Sequence, residues 1–234
     1  MTQDTHALQY WEVHQARYEF LQQYLKERLL PGAKILDVGC YPPFLLDWLE
    51  QNKMQAYGVA SQHEKIEQKQ VKILNIDRDK FPWEDQMFDV VIFTEVLEHL
   101  PFSPQHALKE MQRVLKKNGL LVLSTPNSTK LQNRVRLLAG KSITFPLEQL
   151  LETAPGSDAI YHRHNREYTK TELEQLITRA GFAVIESSYQ VFYPPTRKKV
   201  QQESTTSQLF KWLGYIPQQL YPPFRDSLFL VAKA

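Results

Sequence analysis

Three clusters of residues in the 234-residue chain have the types and spacing to do chemistry. The first is Asp37-Val38-Gly39-Cys40-Tyr41-Pro42-Pro43. Residues 34–38 are short, apolar and competent for a strand, while Phe44, Leu45, Trp48 and Leu49 recur at helical spacing, so the turn between them joins a strand to a helix. Prolines in the first helical turn need no backbone donor. Such a junction directs free N–H groups at whatever lies above it, and beyond the carboxyl ends of the strands is where an open parallel sheet binds ligands. The second cluster is Thr94-Glu95-Val96-Leu97-Glu98-His99, in which Glu95 and His99 share a face if the segment is helical. A histidine titrating near neutrality could take a proton from a hydroxyl or amine nucleophile, and the alternative is that both residues brace the loop. Glu98 is assigned to solvent. The third cluster packs His162, Arg163, His164 and Arg166 into five residues, enough to clamp a phosphate or carboxylate through the planar arginine fork. A solvated loop explains the same letters. Without a neighbouring carboxylate or cysteine the two histidines do not argue for a metal, and none is expected.

The elements that must position these clusters follow from periodicity. Residues 5–30 read as a helix that brings Tyr10, His14, Arg17, Tyr18, Leu21 and Leu25 near one another and stops at Pro31-Gly32. Strands are expected at 56–59, 71–76, 88–93, 120–124, 182–189 and 227–232, the third of these being an unbroken apolar run of the kind covered on both faces. A helix over 103–117 stops at Asn118-Gly119, and a second begins at Thr169 with Glu172 three later, the pattern of a capping box. Two inserts interrupt the pattern, at about 127–168 and 190–226. In the first, Lys130, Arg134, Arg136 and Lys141 alternate with Leu131, Val135, Leu137 and Leu138, compatible with weak peripheral contact with an anionic membrane or with a helix that packs on the domain. The second, rich in proline, glutamine and aromatics with Arg197-Lys198-Lys199 inside, could wall an apolar acceptor, make a dimer contact, or simply pack a helix such as 207–214.

Several of these stretches resemble the class I S-adenosylmethionine (SAM) dependent methyltransferases. Asp37 and Gly39 match the family's D-x-G-x-G-x-G loop, although Tyr41 and Pro43 stand at the next two glycine positions. Phe88-Asp89-Val90-Val91 through Glu95-Val96-Leu97-Glu98-His99-Leu100, the exit Thr125-Pro126-Asn127, and the Tyr168-Thr169 to Gly181-Phe182 ending are similar to the branch that includes ubiquinone-pathway enzymes. The resemblance implies an α/β, Rossmann-like, seven-stranded and mostly parallel sheet of order 3-2-1-4-5-7-6, with strand 7 antiparallel and helices on both faces. It divides the chain into an N-terminal helix at 1–31 and a methyltransferase-like domain at 32–234. SAM is the implied cofactor, with Asp37, Gly39, Cys40, Tyr41, Ala60, Asp77, Arg78, Thr94 and Glu95 as its candidate contacts and Tyr10, Trp11 and Tyr18 either covering the mouth or packing on the sheet. Asp77 matches the family's adenine-facing acid, the alternative being that it ends the strand by capping the next turn. Ala60 stands where the family places a ribose-binding acid, leaving Ser61, Gln62 or Glu64 as substitutes. His99 and His162 are the catalytic candidates, and Arg163, His164 and Arg166 the acceptor contacts. The acceptor is a small molecule or a glycan- or lipid-linked intermediate, and the protein a monomer or homodimer. A non-catalytic relative with a degenerate cofactor loop is the alternative. An NAD-dependent oxidoreductase fits poorly, because G-x-G-x-x-G is missing and no acid closes the second strand.

Composition agrees with this frame: 42% hydrophobic and 12% aromatic residues are ample for a core. A net charge of +2 with both signs interspersed points away from nucleic acid. Lone Cys40 cannot form an internal disulfide, the first residues lack a secretory apolar run, and no stretch approaches the roughly 18 apolar residues of a membrane span, so a cytoplasmic protein is expected.

Overall fold

The apolar run at Phe88–Thr94 forms β4, the middle of the sheet, because it alternates side chains into two separate cores and so must be covered twice. Val91 and Phe93 enter one core, with Leu36 and Val38 of β1 (Lys34–Val38); Val90 and Ile92 enter the other, with Ile35. A computed structural model describes residues 2–61, 70–154, 157–194 and 214–234. Its seven strands run in the order β3-β2-β1-β4-β5-β7-β6. Parallel pairing links β1 to β2 (Gln55–Ala60) and β4, β2 to β3 (Val71–Ile73), and β4 to β5 (Leu115–Pro126). The last strand, β7 (Ser227–Lys233), is antiparallel to both β5 and β6 (Ala183–Gln190). This is the Rossmann-like order that the sequence resemblance implied.

Helices cover both faces. Tyr18, Leu21 and Leu25 of α1 (Thr2–Lys26) share a core with Leu45, Leu46 and Leu49 of α2 (Phe44–Gln51). On the other face lie α3 (Gln105–Val114) and, after α4 (Leu131–Leu138) and α5 (Leu147–Glu152), α6 (Lys170–Arg179). Both bonds of the expected capping box at α6 form: the Thr169 hydroxyl accepts from the Glu172 amide, and the Glu172 carboxylate accepts from the Thr169 amide at 2.9 Å.

Three local readings of the sequence change. The helix expected to reach residue 117 ends at Val114, because Leu115 already pairs with Phe88 and the sheet takes the chain; Asn118, at φ 64°, bends inside β5 instead of stopping a helix. β3 is only three residues long. The chain leaves it at Asn75, whose amide donates to Asp79 Oδ2 at 2.7 Å and whose Oδ1 accepts from the Asp77 amide, a side-chain-closed turn. After β4, Glu95 has φ 57° and a 3-10 turn spans Leu97–His99, so no α-helical face joins Glu95 to His99. The positions of Gln62, Glu64, Arg197-Lys198-Lys199 and 207–213 of an expected helix lie outside the described residues. Among the described residues no helix is long and apolar enough to cross a membrane.

Candidate functional site

Parallel register brings the ends of β1, β2 and β4 level, with Asp37 opposite both Gly58 and Ile92, and a cavity of about 360 Å³ opens just above them. That size suits a small organic ligand. Its floor is Asp37 and Gly39, flanked by Ala60 and Ser61 after β2 and by Thr94, Glu95 and Val96 after β4. Leu74, Asn75 and Ile76 form one wall and Tyr10, Arg17 and Tyr18 of α1 another; His99, Leu100, Tyr161 and His162 form the rim.

The turn after β1 is held differently from the expected amide cradle. Gly39 and Cys40 both donate their amides to the Val59 carbonyl, at 2.8 and 3.1 Å, so these two N–H groups tie β1 to β2 instead of facing the cavity. Gly39 is required for a second reason: at φ 88°, a Cβ there would sit 2.3 Å from Val96 Cγ2. The glycine lets the turns after β1 and β4 meet. Tyr41 and Pro42 line the opening without closing it.

Arg17 dominates the electrostatics. Its side chain is 2% exposed, and Nη2 donates to the Tyr10 hydroxyl at 3.2 Å, while Nε and Nη1 have no hydrogen-bond partner among the described residues. Burial works against its charge, yet the facing Tyr10 hydroxyl and Glu95 carboxylate hold its pKa above the ordinary value. Asp37 is equally buried, and desolvation lifts its carboxyl to about 7 against the opposing pull of Arg17. Glu95 accepts from Ser124 Oγ at 2.8 Å and from the Tyr193 hydroxyl at 3.2 Å, which draws the start of the second insert to the edge of the site.

Glu98, assigned from the sequence to solvent, is 1% exposed. Its Oε2 accepts from Thr125 Oγ1 at 3.0 Å, and burial, then the Glu95 charge, pushes its carboxyl well above the usual range. His99 lies 3.1 Å, through Nδ1, from the Arg163 carbonyl; a carbonyl only accepts, so Nδ1 carries the hydrogen and Nε2 keeps its lone pair. Burial, and then the facing His164, lowers this histidine to about 4, not the near-neutral value its residue type suggests. Glu98, His99 and His164 offer three ligand atoms within 4.8 Å of one another.

Of the residues singled out from sequence, Asp37, Gly39, Tyr41, Ala60, Thr94, Glu95, His99 and His162 surround this cavity, with Tyr10 and Tyr18 on its α1 side. Others lie outside its lining. Trp11 stacks on Tyr18 and meets Phe44 edge to face, and Cys40 packs behind the turn against Gly58, where an added Cβ would meet its Sγ at 2.6 Å. Asp77 is not in the lining, although both its carboxylate oxygens are buried and burial raises its carboxyl, while Arg78 is exposed beside Asp79. Asn75 stands at the cavity instead. The anion clamp is not assembled. Asn165 donates to the His99 and Ile160 carbonyls and pins the segment so that its neighbours diverge. Arg163 lies over the Phe145 ring at 4.1 Å, His164 faces Glu167 at 3.2 Å, and Arg166 pairs with Glu172 at 2.8 Å. Sequence reasoning missed Arg17 as a site residue, although it falls in the same helical stripe as Tyr10, Tyr18 and Leu21. It also missed Asn75 and Tyr161, for which no sequence signal was present.

Comparison with known proteins agrees with the fold. A methyltransferase from Mycobacterium tuberculosis, named as S-adenosylmethionine-dependent, is 29% identical over 169 residues, covering 68% of this chain and 53% of its own length. A ubiquinone biosynthesis O-methyltransferase from Coxiella burnetii is 27% identical over 124 residues, covering 49% of this chain and 51% of its own. The chain thus spans about half the length of the curated relatives it matches. Among solved structures, a chain of the complex between the Haloferax volcanii Trm112 methyltransferase activator and a methyltransferase superposes with a TM-score of 0.64 at 14% identity, covering 99% of this chain and 94% of that one. A SAM-dependent methyltransferase from Archaeoglobus fulgidus gives 0.57 at 15% identity, with 97% and 99% covered. At these identities the structural likeness speaks to the fold. The model of the methyltransferase domain family matches residues 10–187, well over half of the chain, and the protein belongs to that family.

Proposed function

We propose that the cavity binds S-adenosylmethionine and that the protein transfers its methyl group to a small-molecule, glycan-linked or lipid-linked acceptor. The observation that carries this reading is Arg17, a buried guanidinium on the cavity wall with two donors unmatched, close enough to Asp37 to oppose its proton affinity. A buried cation and a carboxyl together suit the zwitterionic amino-acid end of the cofactor, Arg17 for its carboxylate and Asp37 for its ammonium. Leu74, Ile76, Val96 and Leu100 suit the adenosine, with Asn75 as a polar group at that end. No acid closes β2 to hold the ribose, so Ser61 at the cavity edge is the nearest side chain for it.

Bound there, the cofactor supplies a methyl group already activated on a sulfonium, so the chain's own work is to bind, align and exclude water. Alignment alone can lower a barrier by about 7–11 kcal/mol. His99 lies on the rim and stays neutral at pH 7; lowered to about 4 it is a weak base, suited to accept a hydrogen bond that orients a hydroxyl or amine acceptor more than to take its proton, and His162 lies on the same rim. Burial, and then the Glu95 charge, pushes the Glu98 carboxyl beside His99 well above the usual range.

Calorimetry with SAM and with its demethylated product tests the reading, with both expected to bind. Arg17→Met should weaken binding about 100-fold, the magnitude of a lost hydrogen-bonded charge contact in a buried site, while the variant stays folded by circular dichroism. Absence of binding of either ligand by the wild-type protein at millimolar concentration would favour a non-catalytic member of the fold.

A further inference from the structure

Glu95 lines the same cavity as Arg17, whose Nε and Nη1 have no hydrogen-bond partner among the described residues, and it does not take them. A carboxylate free to turn would, because a guanidinium fork and a carboxylate make strong paired hydrogen bonds. Its own bonds show what restrains it. The Glu95 amide donates to the Ser124 carbonyl at 2.9 Å, with the backbone at φ 57°. Its Oε1 accepts from Ser124 Oγ at 2.8 Å and its Oε2 from the Tyr193 hydroxyl at 3.2 Å. Ser124 is fully buried in β5. Tyr193 opens the second insert, and Asp226 sets its place by accepting the Phe192 and Tyr193 amides at 2.9 and 3.2 Å. The single hydrogen of the Tyr193 hydroxyl goes to Glu95, so His14 Nδ1, at 3.2 Å, donates to its oxygen. His14 packs in turn on Tyr10, ring centroids 4.1 Å apart, and Tyr10 accepts from Arg17 Nη2. The Glu95 charge therefore supports a guanidinium that burial opposes, while its oxygens are committed elsewhere.

We propose that Tyr193 and Ser124 are positioning residues for the cofactor site: by holding the Glu95 carboxylate they leave two Arg17 donors open for the carboxylate of the incoming ligand. Without them Glu95 turns onto Arg17 and competes with that carboxylate. The arrangement selects an adenosyl ligand that carries an amino-acid end over one that lacks it, and it gives the first residues of the second insert a part in cofactor binding. The proposal rests on Arg17 receiving the cofactor's carboxylate.

Calorimetry with two adenosyl thioethers tests it: the demethylated product of SAM, and 5′-methylthioadenosine, which has no amino-acid end. The wild-type protein is expected to prefer the first. Tyr193→Phe should weaken the first about tenfold, what a hydrogen bond to a charged group contributes, and leave the second unchanged. Ser124→Ala should do the same, and if that buried change costs the fold, Tyr193→Phe carries the test alone. In a Glu95→Gln background, where no ion pair with Arg17 can form, Tyr193→Phe should have no such effect. The proposal is overturned if Tyr193→Phe leaves the wild-type preference intact, weakens both ligands equally, or costs as much in the Glu95→Gln background. A wild-type protein that binds the two thioethers alike, or neither, would show that Arg17 does not receive the carboxylate, and the proposal falls with that reading. A wild-type preference that Tyr193→Phe does not change removes the proposal and leaves the reading of Arg17 standing.

Discussion

Gly39 and Val96 at the cavity floor approach so closely that one added carbon cannot be placed between them, whereas Leu138 and Leu151 in the first insert touch little but solvent. The floor is where the ends of β1, β2 and β4 are levelled by backbone pairing, so each polar group there is set by the sheet, and burial displaces the titration of Asp37, Glu98 and His99. The insert is tied down by backbone bonds at its two ends, Asn127 and Ser128 at one and Asn165 and Arg166 at the other, and between them α4 and α5 leave their leucines outward. Rigid, desolvated positions suit a ligand that is the same in every reaction. A loosely held exposed segment suits whatever differs between relatives, the acceptor or the surface that delivers it.

The contrast is tested most severely at Gly39. Gly39→Ala should cost about 3 kcal/mol, combining an unfavourable φ with the clash on Val96, and unfold at lower denaturant concentration. Adding Val96→Ala should recover part of that loss, and full additivity of the two changes in chemical denaturation would show that the contact is not the cause.

Asp37 tests the desolvation. Its folded pKa of about 7 lies above the 3.8 of a solvated carboxyl, so it contributes stability that is complete below pH 3.8 and is lost as the pH rises through 7. Relative to Asp37→Asn, the ligand-free wild-type protein should lose about 1.4 kcal/mol per pH unit across that window. Parallel stability curves for the two proteins from pH 4 to 8 would remove the assigned shift.

The smallest effect belongs to the insert. Leu138→Ser alone should move thermal stability by no more than about 0.5 kcal/mol, as expected of a side chain outside any core. A loss of 2 kcal/mol or more would mean that α4 is packed against something after all, and the division between floor and insert would fail.

Much of the architecture was legible in the letters. The run at Phe88–Thr94, the alternation that feeds two cores, and the Thr169–Glu172 cap are local signals, and local backbone preference agrees with the final fold at each. The site was legible in part. Gly39 and Glu95 could be named because they stand at strand ends, where topology dictates that ligands bind. Reasons were harder to read than positions: Gly39 was named as a cofactor contact, and its missing side chain makes room for Val96. His99 was expected to titrate near neutrality, a property its type supplies only in water.

By itself, then, the sequence determined which segments become strands, since that follows from hydrophobic period, while the order in which they lie was implied by the resemblance to a known family. Only the tertiary structure decided that Arg17 ends with unmatched donors beside Asp37, that Asn75 and not Asp77 reaches the cavity, and that the Arg163 to Arg166 cluster diverges. Those outcomes depend on burial and on bonds between residues far apart in the chain, and a side chain's protonation and direction are set by the surroundings that folding assembles.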